Sequence, residues 1–114
     1  PRAPTELVEE TVAMVAELHP EGARTMARAM AEADLRDVLP LIRVPVLLLY
    51  GERDVRSPRA VAEGMARSIP GATLRFLPGA GHQANLETPS AFNGAVLAFL
   101  ADVDRGPERT ATSV

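Results

Sequence analysis

A chain of 114 residues has room for one small domain, and at this size only about two-thirds of the unfolded surface is buried, so the core is modest. With 46% hydrophobic and 24% charged residues the composition is globular rather than disordered, and a net charge of −3 supplies no basic field for nucleic acid or an anionic membrane. The absence of cysteine excludes disulfides, thiolate metal sites and a cysteine nucleophile.

All 12 basic residues are arginine, which reflects coding bias more than function. The apolar runs are far shorter than the ~20 residues of a membrane helix. No basic-then-apolar leader opens the sequence, and a cytoplasmic protein is expected. A start at Pro1 fits a chain cut from something longer, or a processed or renumbered one.

Residues 6–18 read as an amphipathic helix. Leu7, Val8, Thr11, Val12, Val15 and Leu18 follow the helical stripe, while Glu6, Glu9, Glu10 and Glu17 fall mostly elsewhere. Thr5 is the expected N-cap and Pro20 the stop. His19 is read as a helix-end residue facing terminal carbonyls. A second helix spans about 21–33, with Met26 and Met30 one turn apart. Asp34-Leu35-Arg36-Asp37 then leads to a short apolar turn ending at Ile42.

At Val44 the pattern changes. Val44-Pro45-Val46-Leu47-Leu48-Leu49-Tyr50 is apolar without alternation, as suits a parallel strand covered on both faces, and Pro45 fits only near its beginning. Ser57 and Pro58 are the expected N-cap and first residue of a helix over about 58–68, which turns Val61, Met65 and Ile69 to one side. Pro70-Gly71 breaks it. Thr73-Leu74-Arg75-Phe76-Leu77 is a second strand, Pro78 to His82 a loop, and Thr88-Pro89 opens a last helix over about 89–101 with a stripe of Phe92, Val96 and Phe99. The tail from about 103 is polar and expected to fray.

Two residues share one structural position, the loop just after a strand's carboxyl end, where ligands and catalysis gather in open α/β sheets. They are Asp54, in Gly51-Glu52-Arg53-Asp54, and His82, in Gly79-Ala80-Gly81-His82. Each alone is ordinary: aspartate after a strand is turn chemistry, and glycines beside a histidine show only a sharp bend. In this order, with a helix between them, coincidence is much less plausible. Parallel strands would deliver both side chains to one rim. A carboxylate there accepts the imidazole Nδ1–H and fixes the tautomer, leaving Nε2 to take a proton from a nucleophile.

The run from Val44 to Asp54, followed by Pro58, resembles the acid-bearing segment of the α/β-hydrolase family. Gly79-Ala80-Gly81-His82, followed by Glu87, Pro89 and Phe92, resembles that family's histidine loop and closing helix. The order of acid then histidine agrees with the family order of nucleophile, acid, histidine. The resemblance implies an α/β fold in which residues 35–102 form the C-terminal β-α-β-α portion of the core, with parallel strands at about 44–50 and 73–77. Residues 1–34 would be the end of a helical cap, and 103–114 a flexible tail. It also implies that Asp54 is the triad acid and His82 the general base. Val55 and Leu86 would touch substrate, and Met26 and Met30, although residues at helical spacing are more often simple packing, would line an apolar pocket under the cap.

The family's nucleophile elbow, G-x-S-x-G, is absent. Ser57, Ser68, Ser90 and Ser113 are the only serines, and none lies on a strand-to-helix turn between suitable glycines. The oxyanion-hole segment is missing too. A base without its nucleophile lacks the covalent step, and loss of one oxyanion donor alone costs about 10²–10³ in rate. The expected function is therefore the C-terminal region of a serine-type hydrolase of esters or related small acyl substrates, inactive as an isolated chain. Glu87 is expected to anchor its loop or favour the following helix N-terminus, not to act as an acid. No phosphate loop, metal-ligand spacing or basic aromatic stripe is present, so no cofactor, metal or nucleic-acid partner is expected. An open apolar edge along residues 45–50, or the surface that the missing half would cover, should favour self-association. Two rival readings are a non-catalytic interaction module retaining the scaffold, and an unrelated doubly wound ligand-binding domain in which the Asp54 and His82 side chains point apart.

Overall fold

A computed structural model describes residues 4–106. The chain divides into two compact units, Pro1–Leu41 and Ile42–Val114.

The first unit is a pair of helices, α1 (Thr5–Ala16) and α2 (Pro20–Glu32), followed by a 3₁₀ turn at Leu39–Leu41. None of the residues in α1 or α2 is buried. Thr5 is not the cap that its side chain suggests. Pro4 holds extended backbone, and its carbonyl accepts the Val8 N–H at 3.2 Å, so the helix starts one residue early. The first helix also stops before Pro20, with Glu17 as C-cap, and Pro20 instead begins α2. His19 corrects the expectation in the same way. A residue before proline is pushed to extended backbone, and His19 (φ −65, ψ 122) becomes the N-cap of α2, its Nδ1 accepting the Gly22 N–H at 3.4 Å.

The second unit carries β1 (Leu47–Gly51), α3 (Arg59–Ser68), β2 (Thr73–Leu77), α4 (Ala84–Glu87) and α5 (Pro89–Arg105). The strands pair in parallel, Leu47 opposite Thr73 through Gly51 opposite Leu77. β1 begins at Leu47, not Val44, because Pro45 lacks an N–H to continue the ladder; the carbonyl of Val46 still accepts from Thr73 at 2.8 Å. Strand alternation separates two faces. On one, Tyr50 bonds Met65 Sδ of α3 at 3.2 Å, and the Arg59 guanidinium lies 3.8 Å above the Phe76 ring. On the other, Leu49 and Leu77 pack with Phe92 and Ala95 of α5 and with buried Ala80 and Ala84. Helices thus cover both faces, as the unbroken apolar run requires. The buried core is small: Ala62, Ile69, Leu77, Ala80 and Ala84.

Three local departures have physical causes. Ser57 does not cap α3; Pro58 does, and the Ser57 backbone N–H is spent on Asp54. The four-residue α4 is too short for a periodic signature and forms because the Gln83 carbonyl accepts the N–H groups of Leu86 and Glu87, both at 2.9 Å. The last helix continues through Arg105, so residues 103–105 are helical rather than frayed. An Asp102–Arg105 ion pair supports that turn, and Gly106 at φ +68 ends it. The remainder of the expected tail, including Ser113, lies outside the described residues. No helix among the described residues is long and apolar enough to cross a membrane.

Candidate active site

Two similar turns frame β2. Ile69-Pro70-Gly71-Ala72 leads in and Leu77-Pro78-Gly79-Ala80 leads out, each closed by an N–H from its alanine to its first carbonyl, at 3.2 and 3.4 Å. Proline presets the second position and glycine takes the positive φ of the third, +71° in both. The outgoing turn sends the chain back over the end of β1. There the Glu52 N–H donates to the Leu77 carbonyl at 3.0 Å and the Arg53 N–H to the Ala80 carbonyl at 2.8 Å. Glu52 Oε2 also accepts the Gly79 N–H at 3.3 Å. The acid loop and the histidine loop are therefore joined by backbone bonds before either functional side chain is placed.

Asp54 divides its carboxylate between two tasks. Oδ1 accepts the N–H groups of Arg56 and Ser57, each at 2.9 Å, which fixes the side chain on its own turn. Oδ2 lies 2.9 Å from His82 Nδ1. The Asp54 side chain is 5% exposed and that of His82 49%. The Ser57 N–H is foremost in holding the Asp54 carboxyl below its ordinary value; burial opposes it, and the bonds from His82 and Arg56 add to the lowering. An ionised carboxylate can only accept, so Nδ1 is the ring nitrogen that carries a proton toward Asp54, and in the neutral imidazole this leaves the lone pair on Nε2. The rival reading in which these side chains diverge is not what the geometry shows.

Glu87, at the end of α4, accepts the Gly81 N–H at 2.8 Å and the Gln83 N–H at 3.1 Å. It anchors the histidine loop, one of the two roles expected of it. Val55 follows Asp54 and is 90% exposed; Leu86, in α4, is exposed as well. Met26 and Met30 belong to the first unit, where with Leu18, His19 and Ala23 they line a groove of about 540 Å³. No group of three histidine or acidic side chains among the described residues could hold a metal ion. Sequence reasoning missed the parts of Gly51 and Glu52. The one available signal was a glycine closing a strand, which marks close backbone approach.

Residues 36–111 match the family described as TAP-like protein. The chain is 37% identical over 95 residues to 3-oxoadipate enol-lactonase 2 of Acinetobacter baylyi, covering 83% of this chain and 35% of that protein. An esterase from Exiguobacterium antarcticum superposes with a TM-score of 0.82 at 27% identity, over 89% of this chain and 38% of the esterase. The enol-lactonase from Burkholderia xenovorans LB400 gives a TM-score of 0.71 at 30% identity, over 85% and 40%. These relatives are hydrolases, and the chain spans about a third of the length of the curated relatives it matches. On its sequence and its parallel β-α-β-α core, the chain belongs to the TAP-like family of the α/β-hydrolase fold and represents part of that fold.

Proposed function

We propose that this chain supplies the acid and the general base of a serine-type hydrolase acting on an ester or a related small acyl substrate. The reading is carried by the 2.9 Å contact between Asp54 Oδ2 and His82 Nδ1, on loops that follow adjacent parallel strands. The activities of the relatives, esterase and enol-lactonase, support an acyl substrate.

In this scheme Asp54 holds His82 in the tautomer with a proton on Nδ1. Nε2 takes the hydroxyl proton as a serine oxygen attacks the acyl carbonyl, and Asp54 stabilises the imidazolium formed. The imidazolium returns the proton to the leaving oxygen. A water molecule then repeats the sequence in reverse and releases the acid. Val55 and Leu86, exposed beside the two loops, offer apolar contact to the substrate. The serine itself and the oxyanion donors are not supplied by these residues, so the 114-residue chain alone is expected to be inert.

The test is a chimera that joins the nucleophile-bearing part of the A. baylyi enol-lactonase to this chain, assayed on a chromogenic ester. Turnover is expected in the chimera, none in the chain alone, and loss of about 10³-fold or more with His82→Ala. A folded chimera whose turnover is indifferent to His82→Ala would overturn the proposal.

A further inference from the structure

His82 lies between two peptide groups bound by one side chain. Glu87 Oε2 accepts the N–H of Gly81, the residue before it, and Oε1 accepts the N–H of Gln83, the residue after it. These N–H groups belong to the Ala80–Gly81 and His82–Gln83 peptides, so one carboxylate pins the backbone both shortly before His82 and directly after it, and restricts the direction in which the intervening side chain leaves. Bonds from an ionised acceptor to backbone N–H groups are stronger than neutral ones. The clasp also explains the residue preceding the histidine: a Cβ at Gly81 would stand 3.0 and 3.1 Å from the two Glu87 oxygens. Glu87 is itself held, through its own N–H on the Gln83 carbonyl at 2.9 Å.

The two partners of the candidate pair are thus oriented by different bonds. Asp54 is held by its own turn, through Arg56 and Ser57, and the backbone around His82 by Glu87. We infer that Glu87 is the positioning residue of the general base: by clamping the Ala80–Gly81 and His82–Gln83 peptides it keeps Nδ1 on Asp54 Oδ2. The value of this for catalysis rests on the proposed function, but the clamp can be tested without any activity.

The experiment is nitrogen and proton NMR of the His82 ring in the 114-residue chain, with Glu87→Ala, Glu87→Gln and a control. The control is Thr88→Ala, which removes a different bond of the same segment, Thr88 Oγ1 to the Ala84 carbonyl at 3.0 Å. In the parent the Nδ1–H tautomer and a proton resonance for the bond to Asp54 are expected. Glu87→Ala should lose that resonance and shift the ring toward the Nε2–H form. Glu87→Gln, which keeps one accepting oxygen and preserves shape should the alanine variant unfold, should shift the ring partway. Thr88→Ala should lower the unfolding midpoint and leave the ring unchanged. An unaltered His82 ring in folded Glu87→Ala or Glu87→Gln overturns the inference, as does an equal shift in Thr88→Ala. A parent ring that never bonds Asp54 would instead count against the proposed function.

Discussion

A Cβ placed on Gly51 would stand 2.1 Å from the carbonyl oxygen of Gly81 and 2.4 Å from that of Ala80. The last residue of β1 therefore runs directly against the backbone of the histidine loop, and neither obstructing atom belongs to a side chain that could swing away. Gly51→Ala is expected to cost about 3 kcal/mol and to separate His82 from Asp54. Urea denaturation and the His82 ring spectrum measure the two effects. Gly94 provides the contrast: it is exposed in the middle of α5 with nothing within 4 Å of an added Cβ. Gly94→Ala should raise stability by about 0.5–1 kcal/mol. Equal stability of the two variants would refute the close approach.

Asp54→Asn preserves size and leaves one oxygen for the turn, but it presents an amide N–H where His82 now finds a carboxylate. Nδ1 must then accept, which moves the ring proton to Nε2 and removes the lone pair needed for base catalysis. In the isolated chain, ring nitrogen shifts should report a switch from the Nδ1–H to the Nε2–H tautomer. In a chimera with a nucleophile, kcat should fall by about 10⁴-fold. Retention of the Nδ1–H form in the variant would show that Asp54 does not set the tautomer.

The same carboxylate gives the chain a pH signature. Its folded value is lowered beneath the ordinary 3.8, chiefly by the Ser57 N–H, so between the two values the native state binds fewer protons than the unfolded one. The resulting stabilisation is complete above 3.8 and is lost as pH falls through the folded value. Urea midpoints of the parent and of Asp54→Asn, compared from neutral to acid pH, isolate this contribution because the other carboxylates cancel. The difference between the two proteins should be constant near neutrality and shrink below 3.8. A difference that grows on acidification would contradict the assigned direction.

What could be read from the sequence follows what is local. The apolar run at 46–49, the two Pro-Gly turns and the placement of Asp54 and His82 after strands all depend on residues close together in the chain. The junctions were harder. His19 caps the helix that follows it because Pro20 forces it extended, and Ser57 surrenders its N–H to a carboxylate three residues earlier. Glu52 is harder still. It bonds a peptide N–H group, which every residue offers, so nothing in composition or spacing marks the donor; for Glu87 the anchoring of its loop was expected, but not which N–H groups it takes. Glu52 reaches Gly79, 27 residues away, only because the strands run in parallel and end together. The steric demand on Gly51 has the same origin.

Parallel pairing of only two strands leaves the outer edge of β1 without a neighbour among the described residues. That edge belongs to Leu47-Leu48-Leu49-Tyr50, whereas β2 interrupts its apolar pattern with Arg75. Val44, just before β1, and Leu97 and Leu100, on α5, are exposed apolar residues in the same unit. Unpaired strand groups beside apolar surface favour pairing with another chain, and a charged side chain at such an edge suppresses it. Sedimentation velocity should therefore show a weight-average coefficient that rises with protein concentration. Val44→Lys combined with Leu97→Lys, both at exposed positions that the fold does not need, should reduce that rise without lowering the urea midpoint. A parent chain that sediments as a single monomer at every concentration would mean the edge is already shielded, and self-association would then have to be abandoned.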